Sequence, residues 1–348
     1  MKKSIIALAV AGALAAPAVS MADATLYGRL HFQMNFDKNK DVDIRNAGHR
    51  LGVKGESEMD SGLTAFYQLE TEYQNDRSGQ TSDSSTVDAA LKVRQANAGV
   101  KGEFGKVTVG RFTNPLTDTY VADVVERNSG VYEQSPFRVG NAISYTTPDL
   151  SGFNGYAAII ADGLGDDDTN KDADAYVVGV NYKANGLYAG LGYMASNYKD
   201  GADSSSTDGT NTLDINKSQD LSLGLSYTIN NFYVGYNYEQ KKYDATVTTP
   251  TAVSDGDIKV KVHDFMATYA MDKTTFALGY AQAKVSDTDF KANRTLVGVY
   301  QNLGGGADVY VEYAAYNGDA EDGATTTTGF EAVGSNADNV TLGYRVKF

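Results

Sequence analysis

The sequence predicts an all-β protein: a sixteen-stranded antiparallel transmembrane β-barrel that uses the whole chain after an N-terminal leader. Three observations predict it. Apolar and polar residues alternate with a period of two over segments of about ten residues. Sixteen such segments follow one another. The connections between them alternate between short and long. An even strand number suits closure, and about ten residues in a tilted strand are enough to cross the hydrocarbon layer.

Residues Met1 to Ala22 begin with Lys2 and Lys3, run apolar from Ile5 to Val19 and end in Ser20-Met21-Ala22. This is the pattern of a secretory signal peptide cut after Ala22, so the chain reads as residues 1–22 signal and residues 23–348 barrel. The apolar core of the leader is too short to cross a bilayer as a helix, and no second apolar run of about 20 residues follows. The chain carries 30 Lys and Arg against 44 Asp and Glu, and removing the two leader lysines gives 28 − 44 = −16. That charge argues against nucleic acid as a partner. With no cysteine, neither a disulfide framework nor a thiolate metal site or nucleophile is available. The 24 Tyr, 13 Phe and 36 Gly fit a barrel with aromatic girdles. A secreted soluble β-protein would share that composition, so the order along the chain decides.

Strands are expected to begin near Ala24, Gly48, Gly62, Leu91, Lys106, Val139, Phe153, Ala175, Gly186, Gln219, Phe232, Ile258, Lys273, Lys291, Ala307 and Asp338. The last is the plainest: Val340, Leu342, Tyr344, Val346 and Phe348 alternate with Asn339, Thr341, Gly343, Arg345 and Lys347. Leu221, Leu223, Leu225, Tyr227 and Ile229 repeat the pattern, as do Phe232, Val234, Tyr236 and Tyr238, with a turn at Asn230-Asn231 between them. Short connections at 59–61, 102–105, 147–152, 184–185, 230–231, 272 and 302–306 alternate with mostly longer polar ones. A β-sandwich has no reason to place its long loops at every second connection.

The segments Leu26-Tyr27-Gly28-Arg29, Arg50-Leu51-Gly52-Val53-Lys54-Gly55-Glu56, Gln68-Leu69-Glu70, Val109-Gly110-Arg111 and Arg138-Val139-Gly140-Asn141-Ala142-Ile143-Ser144-Tyr145 resemble, in their order, the general (non-specific) Gram-negative porins. The resemblance covers the whole chain. It implies an outer-membrane homotrimer of sixteen-stranded barrels, each a water-filled pore narrowed by a long third loop folded inward, here Thr113 to Arg138. It also implies that a C-terminal aromatic, Phe348, is the signal read by the barrel-assembly machinery.

A narrow zone that passes hydrophilic solutes and resists apolar ones needs a transverse field, made by opposed rows of fixed charge. Arg50 shares a strand face with Lys54, away from Leu51 and Val53, and Arg138 is expected to face away from Val139, Ile143 and Tyr145. Arg50, Arg94 and Arg138 each lie nine residues before a turn residue, Met59, Glu103 and Thr147. That places each some 23 Å above its turn. Arg29, facing away from Leu26, Leu30 and Phe32, starts lower unless strand stagger raises it. Alternation is poor from Val93 to Val100, which weakens the placement of Arg94 on internal grounds. These four arginines match the family's basic cluster position by position. Several arginines on one wall repel by about 4 kcal/mol per pair at 4 Å and an effective dielectric of 20. Opposing carboxylates are therefore expected, and the third connection supplies Asp118, Asp123 and Glu126. It lacks the family's common Pro-Glu-Phe-Gly-Gly stretch and has Asn114-Pro115-Leu116-Thr117-Asp118 instead. Glu70 faces the lumen by parity with Gln68 and Glu72 and is expected to hold arginines in place. Read without the resemblance, the loop acids are exposed carboxylates and the arginines a solvated face paired with Glu56, Glu70 or Glu72.

Residues 162–168 and 317–322 are rich in Asp and Gly but do not have the spacing of an EF-hand, so an acidic surface is the reading preferred over a divalent-cation bridge to lipopolysaccharide. His31, His49 and His263 lack ligand-spaced partners. No metal, cofactor or catalytic residue is expected. The expected function is passive diffusion of ions and small hydrophilic solutes, in contact with outer-membrane lipids and lipopolysaccharide. A substrate-selective porin for an oligosaccharide or anion is the alternative, an enzyme barrel such as a lipase or protease is a more distant one, and an adhesin or phage-receptor role of the loops is compatible with a pore.

Overall fold

The computed structural model describes residues 24–38, 41–74, 90–126, 135–161, 173–197, 205–206, 212–249, 252–286, 291–318 and 338–348. The leader and the acidic stretch at 162–168 lie outside these residues, as does most of 317–322. The sheet contains 18 strand segments; without two short pieces, Asp43–Asn46 and Ser205–Ser206, sixteen long strands remain. They are β1 (Thr25–Asp37), β2 (His49–Glu58), β3 (Thr64–Gln74), β4 (Ala90–Gly102), β5 (Gly105–Thr113), β6 (Arg138–Thr146), β7 (Phe153–Ile160) and β8 (Ala175–Ala184). The second half comprises β9 (Leu187–Asn197), β10 (Thr212–Ile229), β11 (Phe232–Thr249), β12 (Ala252–Met271), β13 (Thr274–Val285), β14 (Lys291–Gly304), β15 (Ala307–Gly318) and β16 (Asp338–Lys347). Each pairs antiparallel with its sequence neighbours.

The sheet closes where β16 meets β1, in register from Arg29 opposite Lys347 to Asp37 opposite Asn339. Gly28 and Phe348 exchange two backbone hydrogen bonds, 2.9 and 3.2 Å long, at the last rung. A Cβ on Gly28 would stand 2.3 Å from the Phe348 ring, so the terminal aromatic folds over this glycine.

The molecule is inside-out relative to a soluble protein. Leu26, Leu30, Phe32, Leu69, Ile143, Val234, Phe265, Leu278, Val297, Leu342 and Tyr344 are exposed on the outer wall. The alternate residues, such as His31, Gln33, Asn35, Glu70, Arg294, Glu312 and Thr341, are buried. An apolar outer face and a polar interior suit hydrocarbon outside and water within, and they rule out a β-sandwich, whose core is apolar.

Most strand starts lie within two residues of the sequence expectation, but β10 and β12 begin seven and six residues before Gln219 and Ile258. The upper parts of β10, β11 and β12 stand beyond the apolar band, where Thr212–Ser218 and Ala252–Asp257 need no oily face. The hydrophobic alternation stops there while the hydrogen-bonded ladder continues. At the short-turn end, Asn185, Asn230 and Asp272 adopt positive φ, a conformation these short polar side chains tolerate.

Two irregularities redirect side chains. Glu70 is opposite Gln95 and Thr71 is opposite Val93, so Arg94 is an extra residue in a bulge. This accounts for the poor alternation around it: Val93 points out, Gln95 points in, and Arg94 is re-aimed. Between β5 and β6 the register slips from Gly110–Ala142 to Phe112–Val139, with Asn141 at φ 48°. Val139 is thereby turned inward and buried against Phe112 and Leu116. The expectation that Val139 shares the outer face with Ile143 and Tyr145 is corrected: a bulge between them reverses the parity.

Tyr310, buried on β15, is bonded through its hydroxyl to His31 Nε2 at 2.6 Å and accepts from Gln33 Nε2 at 2.8 Å, and its ring lies across Gly343, where a Cβ would fall 1.9 Å away. Gly343→Ala is expected to displace the ring, break this pair of bonds and cost about 1–3 kcal/mol. The check is a lower thermal unfolding midpoint of the detergent-solubilised barrel.

Candidate functional site

Six consecutive strands form one wall of the lumen, and the four arginines stand on it. Arg29 of β1 is the direct Cα partner of Arg50 of β2, so strand stagger raises Arg29 to the level of Arg50. Like charges directly opposite destabilise a sheet, and carboxylates on the next strands offset this. Arg50 is opposite Glu72 and lies 3.8 Å from Glu70 Oε1. The bulged Arg94 donates from Nε to Glu70 Oε1 at 2.6 Å and from a terminal nitrogen to Glu72. It is the clasp of the group, since it holds two acids that would otherwise repel each other. Arg138, with its guanidinium 5.3 Å from the Phe137 ring, completes the row.

The third long connection lies against these residues and against the far wall. Asn114 caps a short 3-10 turn, Pro115–Thr119, by accepting from the Leu116 backbone N–H. The chain then runs along lumen-facing groups. Thr119 Oγ1 is 2.5 Å from Ser222 Oγ on β10. Asn237 on β11 donates to the Thr119 carbonyl and accepts from the Ala122 N–H. Ala122 and Val125 pack among Met266, Leu296 and Ala314 of β12, β14 and β15. The contact depends on glycine: at Gly224 a Cβ would meet the Thr119 carbonyl oxygen at 2.1 Å. At the end of the described stretch the Glu126 N–H donates to Glu312 Oε1 at 2.9 Å, and the Glu126 carboxylate takes an ion pair from Arg345 of β16.

Arg29, Arg50, Arg94 and Arg138 therefore line a single cavity of about 530 Å³ together with Glu70, Asp123 and Glu126. Asp118 does not join them. It faces the opposite side of the connection, where Asn181 Nδ2 donates to its carboxylate at 3.2 Å and Tyr188 donates to its carbonyl at 2.7 Å. Lys54 lines a neighbouring cavity of about 490 Å³ with Glu56, Tyr67 and Lys106, and Gln68 borders both cavities. Arg345 is a further basic residue. It is held by Asp308 at 2.9 Å as well as by Glu126, and its parity against Tyr344 and Val346 is visible in the sequence. Its link to a residue 219 positions away is not. The histidines take structural partners: His31 bonds Tyr310, His49 Nδ1 accepts the His31 N–H at 3.0 Å, and His263 bonds the Tyr236 hydroxyl at 2.9 Å.

Residues 7–321 match the family model described as Gram-negative porin. The chain belongs to this porin family. Among its relatives is the major outer membrane protein P.IB of Neisseria meningitidis serogroup B (strain H44/76), 29% identical over 208 residues, which are 55% of this chain and 58% of that protein. P.IB of Neisseria gonorrhoeae is 26% identical over 222 residues, 58% of this chain and 59% of that protein. The match thus spans less than two thirds of the length of these relatives. Among solved structures, an anion-selective porin from Comamonas acidovorans superposes with TM-score 0.71 at 22% identity, over 94% of this chain and 100% of that one. OmpF of Salmonella typhi in complex with daunomycin gives 0.71 at 20% identity, over 94% and 98%. OmpT of Vibrio cholerae in trimer form gives 0.68 at 20%, over 94% and 99%. These likenesses confirm the barrel fold of this porin.

Burial raises the pKa of the Asp118 carboxyl above the ordinary carboxylate range, against the lowering effects of the Asn181 hydrogen bond and Lys106. A carboxyl whose folded-state pKa is raised costs stability when ionised, and that cost is relieved as pH falls through the raised value. Asn181 Oδ1 beside it is a buried acceptor without a hydrogen-bond donor, which an amide at position 118 would supply. Asp118→Asn is expected to stabilise the barrel by about 1 kcal/mol at neutral pH. The gain should shrink toward zero as the solution is acidified, read from unfolding curves at several pH values.

Proposed function

We propose that the chain forms a water-filled channel in the outer membrane for passive diffusion of ions and small hydrophilic solutes. Its narrow zone lies between a basic wall, Arg29, Arg50, Arg94 and Arg138, and the third connection, which folds inward and brings Asp123 and Glu126. The observation that carries this reading is the single lumen cavity lined by all four arginines and both acids. Membership of the porin family and relatives that are major outer membrane proteins support the place and the activity. Glu70 tethers Arg50 and Arg94, Lys54 adds positive charge in the adjoining cavity, and Asp118 anchors the connection rather than lining the pore. A homotrimer is proposed on the resemblance and on the trimeric form of the Vibrio structure. Phe348, last on the closing strand, is proposed as the assembly signal.

The physical work of the site is done by opposed fixed charges across a wet gap. They order water along the transverse field, so a polar solute replaces that water at low cost and an apolar one does not. The net charge of −14 favours cations at the mouths while arginines in the narrow zone oppose this, so weak net cation selectivity is expected.

In planar bilayers the purified protein is expected to insert as stable channels with steps in groups of three. A non-conducting barrel overturns the reading. Liposome swelling with neutral sugars should fall smoothly with size; a sharp preference for one solute favours the substrate-selective alternative. A unit charge about 7 Å from an ion in water changes its energy by about 0.6 kcal/mol, close to RT. Each such charge acts in opposite directions on a cation and an anion, so removing two should change the cation-to-anion permeability ratio by roughly five- to tenfold after screening removes about half of the effect. Arg50→Ala with Arg94→Ala, which also releases Glu70 and Glu72 from their clasp, should raise that ratio, measured as reversal potential in a salt gradient. An unchanged potential removes these arginines from the ion path.

A further inference from the structure

The third connection rests on the far wall of the lumen at a place where that wall has no side chains. Gly192 on β9, Gly224 on β10 and Gly235 on β11 face inward by parity, since Leu191, Leu221, Leu225 and Val234 are exposed on the outer face of the same strands. Gly192 is the Cα partner of Ser222, Gly224 of Asn237 and Gly235 of Ser226, so the three cluster on adjacent strands. None of them adopts positive φ, and a side chain would suit their backbone conformation. Glycine inside a strand weakens it, and one reason to keep it there is the close approach of another backbone.

Here that approach is made by the third connection. A Cβ on Gly224 would lie 2.1 Å from the Thr119 carbonyl oxygen, and one on Gly235 2.7 Å from the Val121 carbonyl oxygen. At Gly192 the nearest obstacle is the end of a side chain, Leu116 Cδ1 at 2.6 Å, which can turn aside. Asn237 fastens the same stretch, donating to the Thr119 carbonyl and accepting from the Ala122 N–H. The residues that follow, Asp123 to Glu126, line the cavity that holds the four arginines.

The gap between the connection and the basic wall is what remains of the lumen once the connection has taken its depth. With glycine at both backbone contacts, that depth is close to the least a peptide chain can take. β10 is hydrogen-bonded to a neighbour along both edges at Gly224 and belongs to a closed sheet, so crowding there is relieved by movement of the connection and not of the wall. Restoring an ordinary contact of 3.4 Å requires a shift of about 1.3 Å at Gly224 and about 0.7 Å at Gly235. A compact cavity of about 530 Å³ is about 8 Å across, so the larger shift would take about a sixth of its width.

We propose that Gly224 and Gly235 are size-determining positions of the pore: although the third connection covers them, they set the width of the narrow zone by fixing how far that connection withdraws from the arginines. The proposal rests on the channel reading for what passes through the gap, and on the contact geometry alone for where the connection lies.

The test compares the full-length purified porin with Gly224→Ala and Gly235→Ala in planar bilayers. Gly256→Ala, on the upper part of β12 where a Cβ meets nothing within 4 Å, is the control. Gly224→Ala is expected to lower single-channel conductance by about a sixth, Gly235→Ala by about half as much, and Gly256→Ala not at all. In liposome swelling, entry of the largest permeant sugar should fall more than entry of the smallest. Crystal structures of the two variants are expected to show the carbonyls of Thr119 and Val121 displaced toward the arginine wall. If Gly224→Ala does not assemble, Gly235→Ala, with the smaller clash, carries the test. Glycines that only ease the bending of the wall would, when replaced, lower the unfolding midpoint and leave conductance at the parent value, and that result overturns the proposal. So does an equal fall in Gly256→Ala, or a fall in conductance with the connection unmoved. A displaced connection in a barrel whose parent does not conduct would leave the placement standing and remove the channel instead.

Discussion

Hydrocarbon offers no hydrogen bonds, and the rest of this structure depends on that constraint. A backbone N–H or C=O left open in the bilayer costs several kcal/mol, so a spanning sheet has to close. Here the last rung is Gly28 with Phe348. Closure requires the strands to tilt and shear, and shear sets Arg29 level with Arg50 although the two lie at different distances from the short-turn ends of their strands, Thr25 and Glu58. The charge arrangement of the lumen is in this sense a consequence of satisfying the backbone in the wall.

Once the wall is closed, its two faces answer to different solvents. Where it meets hydrocarbon the outer face is apolar, and the inner face is free to be charged. That freedom has a local cost, because arginines on adjacent strands repel. The fold answers it in two ways. Glu70 and Glu72 sit on the next strand, and Arg94, placed in a bulge, reaches both. The third connection then brings backbone and carboxylates to the opposite side, held by Thr119, Asn237 and Glu126. Small residues at Gly192, Gly224 and Gly235 leave space for it, since a Cβ at each would meet the loop within 2.7 Å. The basic wall and the loop opposite it are parts of one packed polar interior rather than separate devices.

Much of this was legible in the residues. Strand number, the face of most side chains, the short-turn end and the closing strand all follow from a two-residue period interrupted by turn residues. The lumen side of Arg50, Glu70 and Arg345 follows from the same parity. Two kinds of position escaped it. Where a bulge adds a residue, parity fails: Val139 turned inward against expectation, and the weak alternation near Arg94 was the trace of a bulge. Where a ladder rises above the lipid, polar strands carry no oily stripe, and β10 and β12 proved longer than their apolar segments. The three loop acids looked equivalent in sequence and are not, because a single 3-10 turn after Asn114 sends Asp118 toward Asn181 and the later two toward the arginines.

The sequence by itself determined that this chain forms a closed sixteen-stranded barrel with a wet, charged interior, because each strand carries its own solvent preference in its alternation. Tertiary structure alone decided which charges share a level, which acid meets which arginine, and that glycines from adjacent strands meet the third connection. Those outcomes depend on shear, bulges and loop path. These couple residues as far apart as Glu126 and Arg345, and no local pattern records that coupling.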